Sequence, residues 1–162
     1  MELPDDVYDE IVVLSKKGDD YAEKEQFASA LAQYNEALSL LPEPKTDWEA
    51  ATWLYTAIGD AYFSIQKFNE ALNAFEKALM SPDGTGNPYI WFSLGQVFFE
   101  QGNKEKAKTH FLSAYMLDGD SIFEDENPEY FEFIKEEAEK SHGINKAEQK
   151  DVKPDSSWLP PN

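Results

Sequence analysis

The stretch "YTAIGDAYFSIQKFNEALNAFEKAL", residues 55–79, contains no proline and orders its large and small residues at helical spacing. Tyr55, Ile58 and Tyr62 are three and four positions apart, so they share one face of a helix. Gly59 lies among them, although a glycine inside a helix costs about 1 kcal/mol relative to alanine. Its presence therefore predicts that a neighbouring helix approaches closely at this point.

The second half of the stretch predicts the helix that makes this approach. Ala71, Phe75 and Ala78 alternate small and large residues on one helical face. An aromatic side chain between two alanines can insert between closely packed helices. The stretch therefore predicts an antiparallel helical hairpin with Phe75 between its two helices.

The same register occurs three times along the chain. The glycines of the register are Gly18, Gly59 and Gly95, which are 41 and 36 residues apart. An aromatic residue follows each glycine by three positions, and an alanine, an aromatic residue and a second alanine follow further on. These positions hold Tyr21, Tyr62 and Phe98; Ala30, Ala71 and Ala107; Tyr34, Phe75 and Phe111; and Ala37, Ala78 and Ala114. The sequence predicts three such hairpins.

This register resembles the tetratricopeptide repeat, whose signature is W-x2-L-G-x2-Y, then A-x3-F, then P, with a period of about 34 residues. "WFSLGQVF" (91–98) and "YTAIGDAY" (55–62) match its first part. "LSKKGDDY" (14–21) departs from it, because Lys17 replaces the usual apolar residue. The third repeat lacks the closing proline, and Gly119 is expected to end its second helix. The resemblance implies an all-α solenoid of three antiparallel helical hairpins.

We expect one domain, residues 1–143, with repeats at about 11–44, 52–85 and 88–121 and a C-terminal capping helix at about 128–141. The apolar face of the capping helix would consist of Tyr130, Phe131, Ile134 and Ala138. Such a helix covers the exposed end of a solenoid, and Gly143 is expected to end it. Residues 144–162 are predicted to be a flexible tail, whose Trp158 and Leu159 could occupy a groove of the solenoid. The long interval after repeat one predicts that the next helix begins near Asp47 and projects Trp48 beyond its neighbours.

The charge of the chain favours a basic protein partner. The sequence has 32 acidic residues against 14 basic ones, for a net charge of -18, and all the basic residues are lysines. This balance opposes binding to nucleic acid or to an anionic membrane. There is no cysteine, the acidic N-terminus "MELPDDVYDE" lacks a signal-peptide pattern, and no apolar run is long enough to span a membrane. We expect a soluble, cytoplasmic protein.

The resemblance also implies where a partner would bind, because the first helices of the repeats line a concave groove in this family. The implied partner-binding residues are Asp19, Glu23, Trp53, Asp60, Phe63, Tyr89, Phe92, Gln96, Phe99 and Glu100. Exposed aromatic residues are typical binding anchors, and carboxylates select basic ligands. Family members that bind the carboxylate terminus of Hsp70 and Hsp90 chaperones use lysine, arginine and asparagine in the groove. The corresponding positions here hold Ser15, Asp19, Ala57, Tyr89 and Ser93, which argues against that ligand.

Catalytic motifs are missing from the sequence. His110 and His142 are not at metal-ligand spacing, and there is no phosphate-binding loop, zinc pattern or nucleophile elbow. With so many carboxylates, suitably spaced acidic pairs occur by chance. The sequence therefore predicts no catalytic or metal site and no cofactor.

Three functions of different classes remain open. The first is a protein-interaction module, acting as an adaptor or an inhibitor, whose most specific form is an immunity protein that neutralises a bacterial toxin. The second is a self-assembling scaffold, and the third, with little support, is an enzyme. We expect a monomer or a weak homodimer.

Overall fold

A computed structural model describes the backbone of residues 2–151 and the side chains of residues 2–140. This part of the chain forms α-helices and short 3₁₀ segments and contains no strand. The helices are α1 (Asp5–Glu23), α2 (Phe27–Ser39), α3 (Glu49–Ser64), α4 (Phe68–Met80), α5 (Pro88–Glu100), α6 (Lys104–Asp118) and α7 (Pro128–Asp151). The 3₁₀ segments are Lys45–Asp47, Gly84–Gly86 and Gly119–Phe123. The most extensive contacts lie within the pairs α1–α2, α3–α4 and α5–α6, so the predicted all-α solenoid of three hairpins is confirmed.

The close approach predicted at the glycines is present in all three hairpins. In each hairpin a buried aromatic ring of the second helix lies directly over the glycine of the first helix. A Cβ atom would lie 2.4 Å from Tyr34 if built on Gly18, 2.5 Å from Phe75 on Gly59, and 2.5 Å from Phe111 on Gly95. These distances are far below van der Waals contact, so only glycine permits this packing.

The turn within each hairpin also repeats. Its central residue has positive φ, with values of 58° at Glu25, 60° at Gln66 and 81° at Gly102. In the second hairpin the Gln66 N–H donates to the Phe63 carbonyl at 2.9 Å, and the next N–H donates to the Tyr62 carbonyl at 2.9 Å. The same two bonds close the other turns. This pattern is the Schellman motif that ends many helices.

The connection between the first two hairpins differs from the prediction. A 3₁₀ turn precedes α3, which begins at Glu49. Trp48 does not project: it is half-buried, packs against the core, and donates its indole N–H to the Pro42 carbonyl at 2.9 Å. The prediction for Trp48 was wrong because an indole can bury its rings while its N–H finds a nearby acceptor.

Helix α7 covers the third hairpin. Tyr130, Ile134 and Ala138 are buried with Phe92 and Phe111 in a core cluster distinct from the one that fills the first two hairpins. The helix runs to Asp151, ten residues past the predicted end at 141, and Gly143 lies inside it. One internal glycine costs only about 1 kcal/mol, and the lysine, alanine, glutamate and glutamine residues that follow favour a helix. Residues 152–162, including Trp158 and Leu159 of the predicted tail, lie outside the described part.

Candidate functional site

The predicted partner-binding residues lie on α1, α3 and α5, the first helices of the hairpins. We call the surface that these helices form the first-helix face. Asp19 and Glu23 belong to α1; Trp53, Asp60 and Phe63 belong to α3; Tyr89, Phe92, Gln96, Phe99 and Glu100 belong to α5. The structure divides most of these residues into two groups. The open group lines a cleft between α1 and α3 and consists of Asp19, Glu23 and Asp60. The covered group lies beside α7 and consists of Phe92, Gln96, Phe99 and Glu100.

The open group surrounds a cleft of about 370 Å³ between α1 and α3. We call it the α1–α3 cleft. Its lining residues are Asp19, Ala22, Glu23, Phe27, Tyr34, Ala57, Asp60, Ala61 and Ser64. Three of these are carboxylates and none is a lysine, so the cleft combines an apolar wall with uncompensated negative charge.

Tyrosine hydroxyls position two of the carboxylates. The Tyr34 hydroxyl donates to Asp19 Oδ1 at 2.6 Å, and the Tyr89 hydroxyl donates to Asp60 Oδ1 at 2.9 Å. The second bond joins α5 to α3 across 29 residues of sequence. Each carboxylate keeps a second oxygen, and a hydrogen bond to a charged acceptor is among the stronger kinds.

Asp60 has an unusual electrostatic environment. Burial raises the pKa of its carboxyl to about 7 from a usual value of 3.8, although the hydrogen bond from Tyr89 opposes this rise. The negative charge of Glu126, in the segment before α7, raises the Asp60 pKa further. Burial and the Asp60 charge likewise raise the pKa of the Tyr89 phenol. A cation in the cleft would therefore stabilise the ionised form of Asp60.

The first-helix face also contains three aromatic residues on α3 and α5: Trp53, Phe63 and Tyr89. Trp53 and Tyr89 are 39% and 38% exposed. Phe63 is half-buried and packs against Phe68 with ring centroids 5.7 Å apart. Trp53 and Tyr89 therefore present more accessible surface to a partner than Phe63 does.

The covered group differs from the expectation, and Phe92 is the main correction. It is only 1% exposed, and its ring contacts the rings of Phe111, Phe123 and Tyr130 at centroid distances of 5.3 to 5.9 Å. Phe92 therefore belongs to the core and is not an exposed anchor. The sequence could not place it there, because Phe123 and Tyr130 come from the segment after the repeats.

Phe99 and Glu100 are also engaged by neighbouring elements. The Phe99 ring meets Tyr130 and Phe133 of α7 edge to face, and the Lys104 ammonium lies 3.0 Å from its centroid. The Tyr130 hydroxyl donates to Glu100 Oε1 at 2.8 Å. Gln96 is half-buried near the same tyrosine. Helix α7 thus covers much of the part of the first-helix face that α5 forms.

The described residues lack two features that would indicate other kinds of site. Within the described residues, no group of three or more His, Asp or Glu side chains is placed to hold a metal ion. Across residues 2–151, no helix combines the length and apolar character that crossing a membrane requires.

These features define the chain as a helical-repeat solenoid. Two family models, both described as "Tetratricopeptide repeat", match residues 9–79 and 56–121. The chain belongs to the tetratricopeptide repeat family. No curated protein matches it.

Solved structures share its fold. "First TPR of Spaghetti (RPAP3) bound to HSP90 peptide SRMEEVD" is 18% identical with a TM-score of 0.63, covering 83% of this chain and 94% of its own. "Crystal structure of MamA" is 19% identical with a TM-score of 0.59, covering 84% and 81%. At this identity the likeness concerns the fold alone. Tetratricopeptide repeats generally mediate protein–protein interactions and are typically not enzymes.

Proposed function

We propose that this protein is an interaction module that binds a basic protein or peptide on its first-helix face, with a lysine or arginine side chain of the partner near the α1–α3 cleft. The observation that carries the proposal is the charge of that cleft, whose lining has three carboxylates and no lysine. Opposite charge across an interface speeds association and selects the partner. Asp19 and Glu23 supply this charge, and Asp60 adds to it when a bound cation ionises its carboxyl group.

Aromatic residues beside the cleft would provide the apolar part of the interface. Trp53 and Tyr89 are exposed, and tryptophan and tyrosine are enriched among residues that dominate binding energy. Phe63 is included as a half-buried residue of α3, whereas Gln96, Phe99 and Glu100 would contribute only where α7 leaves them accessible. Phe92 is left out of the proposed interface because it is buried.

The same charge disfavours an acidic ligand. The peptide SRMEEVD, bound in the Spaghetti structure, carries more acidic than basic residues. In this chain, Ser15 and Ser93 are buried and Asp19 is negative at positions where chaperone-tail binders use cationic or amide side chains. An acidic peptide would meet like charge in the α1–α3 cleft, which costs binding free energy.

The most specific form of this proposal is a cytoplasmic inhibitor that covers a basic toxin domain, acting as a monomer or weak homodimer. Its support is the net charge of -18, which suits a stoichiometric cover for a basic surface. A toxin gene next to the gene for this protein would favour inhibition over a general adaptor role.

The test compares three forms of the full chain as bait in lysate of the native cell. The forms are wild type, Glu23→Gln/Asp60→Asn, and the matched control Glu76→Gln/Glu105→Gln, which removes two exposed carboxylates from α4 and α6. Proteins retained by wild type and control but lost by the cleft variant are then purified, and their affinities measured by calorimetry. We expect a basic partner whose affinity falls about tenfold or more in the cleft variant only. Equal retention by all three forms would contradict the proposal.

The pH dependence provides a second readout. Because the Asp60 pKa is near 7, a cation bound there should displace a proton, so binding should tighten from about pH 6 to about pH 8. Asp60→Asn should remove that part of the pH dependence. An unchanged pH profile would place the partner elsewhere.

A further inference from the structure

A second cleft lies on the opposite side of α3, between the second helices α2 and α4. Its volume is about 590 Å³, within the range of small-ligand and side-chain pockets. Tyr55 and Tyr62 of α3 line it together with Ala74 of α4. Three amides, Asn35, Asn69 and Asn73, also face it. We call it the α2–α4 cleft.

The third hairpin shows which chemical group suits this cleft. The register places Trp91, Phe98 and His110 at the positions of Tyr55, Tyr62 and Ala74. The His110 imidazole packs against both of its aromatic neighbours, with ring centroids 5.7 Å from Trp91 and 5.0 Å from Phe98. In the second hairpin Ala74 has only a methyl group, so no ring occupies this position of the cleft. Ala74 and Tyr55 line the cleft while only 4% and 8% exposed, and Lys77 lies over the Tyr55 ring.

The charge of the cleft differs from that of the first-helix face. Lys77 and Lys45 line it with a single carboxylate, Glu70, in a chain whose net charge is -18. Lys45 donates to two carbonyl groups at the end of α2. The Lys77 ammonium lies 5.5 Å from the centroid of the Tyr55 ring and forms no ion pair within the described side chains. Lys45 also pairs with Glu43 at 3.6 Å, so Lys77 is the cation that an acidic group beside Tyr55 would meet.

We propose that the α2–α4 cleft binds an extended segment of a partner protein that places an aromatic ring beside Tyr55 and Tyr62 and a carboxylate near Lys77. The ring would fill the position that the His110 ring occupies in the third hairpin. The amides of Asn35 and Asn73 can each donate to and accept from the peptide backbone on either side of that ring, whereas the Asn69 oxygen already accepts from Gln101 Nε2 at 3.1 Å. This site is separate from the proposed site on the first-helix face, so either can exist without the other.

Three blocked dipeptides test the proposal: acetyl-Asp-Trp-amide, acetyl-Lys-Trp-amide and acetyl-Asp-Leu-amide. Each is titrated into the isotope-labelled full chain, and the NMR signals of the side-chain amides of Asn35, Asn69 and Asn73 are followed. We expect saturable shifts with the Asp-Trp peptide, about threefold weaker binding of the Lys-Trp peptide, and no saturable shift with the Asp-Leu peptide. Equal affinities for the Asp-Trp and Asp-Leu peptides, or no saturable shift with either tryptophan peptide, would overturn the proposal.

Two reciprocal variants locate the ring. The histidine of Ala74→His should occupy the space beside Tyr55 and Tyr62 and lower the affinity for the Asp-Trp peptide at least about tenfold. Unchanged affinity in the folded variant would overturn the proposed position of the ring. His110→Ala should open the matching slot in the third hairpin and let tryptophan peptides shift the indole signal of Trp91. If Ala74→His does not fold, His110→Ala tests by itself whether a peptide ring binds at this position. An unaffected Trp91 signal would then overturn the proposed position of the ring.

Discussion

Gly59→Ala provides the sharpest test of how the hairpins are held together. A Cβ atom at position 59 would lie 2.5 Å from Phe75 Cε1 and 2.7 Å from two further atoms of the same ring. Ordinary contacts begin near 3.4 Å, so the ring would have to move by almost 1 Å. Phe75 is buried and has little room to do so.

The magnitude follows from two opposing effects. Alanine gains about 1 kcal/mol over glycine from helix propensity, whereas overpacking a core costs about 1 to 3 kcal/mol. The buried ring would have to move by almost 1 Å against surrounding side chains, so the upper part of that range applies. We expect a net loss of about 1 to 2 kcal/mol in the free energy of unfolding. For a chain of this size, that loss lowers Tm by roughly 2 to 8 °C.

The assay is chemical and thermal unfolding followed by circular dichroism. Gly86→Ala is the matched control, because nothing lies within 4 Å of a Cβ at that position. Combining Gly59→Ala with Phe75→Leu should cost less than the sum of the single changes, since both act on one contact. A more stable Gly59→Ala protein, or strictly additive changes, would refute the argument that the Phe75 ring requires this glycine.

Three further predictions concern single side chains. Gln66→Gly should stabilise the fold by about 1 kcal/mol in urea unfolding, because Gln66 has a φ of 60° that costs a non-glycine residue about that much; no gain would mean that the turn is not strained. The Asp60→Asn protein should be more stable than wild type by about 1 to 3 kcal/mol above pH 7, and the two should be equally stable near pH 4. The reason is that the raised pKa makes ionisation of Asp60 unfavourable in the folded protein, and this cost grows as the pH rises from about 4 to about 7. A stability difference that stays constant across pH would contradict the raised pKa. Phe92→Ala should lower the free energy of unfolding by about 3 to 5 kcal/mol, as expected of a buried ring. A loss below about 1 kcal/mol would show that Phe92 is not part of the core.

Much of the fold could be predicted from the sequence because its determinants are close together along the chain. Gly59 and Phe75 are sixteen residues apart in one hairpin, and the same spacing recurs at Gly18 and Tyr34. A contact repeated at fixed spacing specifies helix, turn and helix without any knowledge of the rest of the chain. The resemblance to the tetratricopeptide repeat likewise implied that Asp19 and Asp60 belong to the first helices of their hairpins, and α1 and α3 contain them.

The candidate site depended on contacts between distant segments. Helix α7 and the segment before it bury Phe92 and engage Phe99, and no repeat pattern indicates which rings a non-repeated element will cover. The hydrogen bond from Tyr89 to Asp60 joins two hairpins. Burial of Asp60 raises the pKa of its carboxyl group.

The amino-acid sequence by itself determined that this protein is a solenoid of helical hairpins with a strongly negative surface. Only the tertiary structure decided which residues remain available at the surface, as it left Trp53 exposed, buried Phe92 and formed a cleft between α2 and α4. The physical reason is that periodic local packing follows from residue spacing, whereas exposure depends on how every other element of the chain packs.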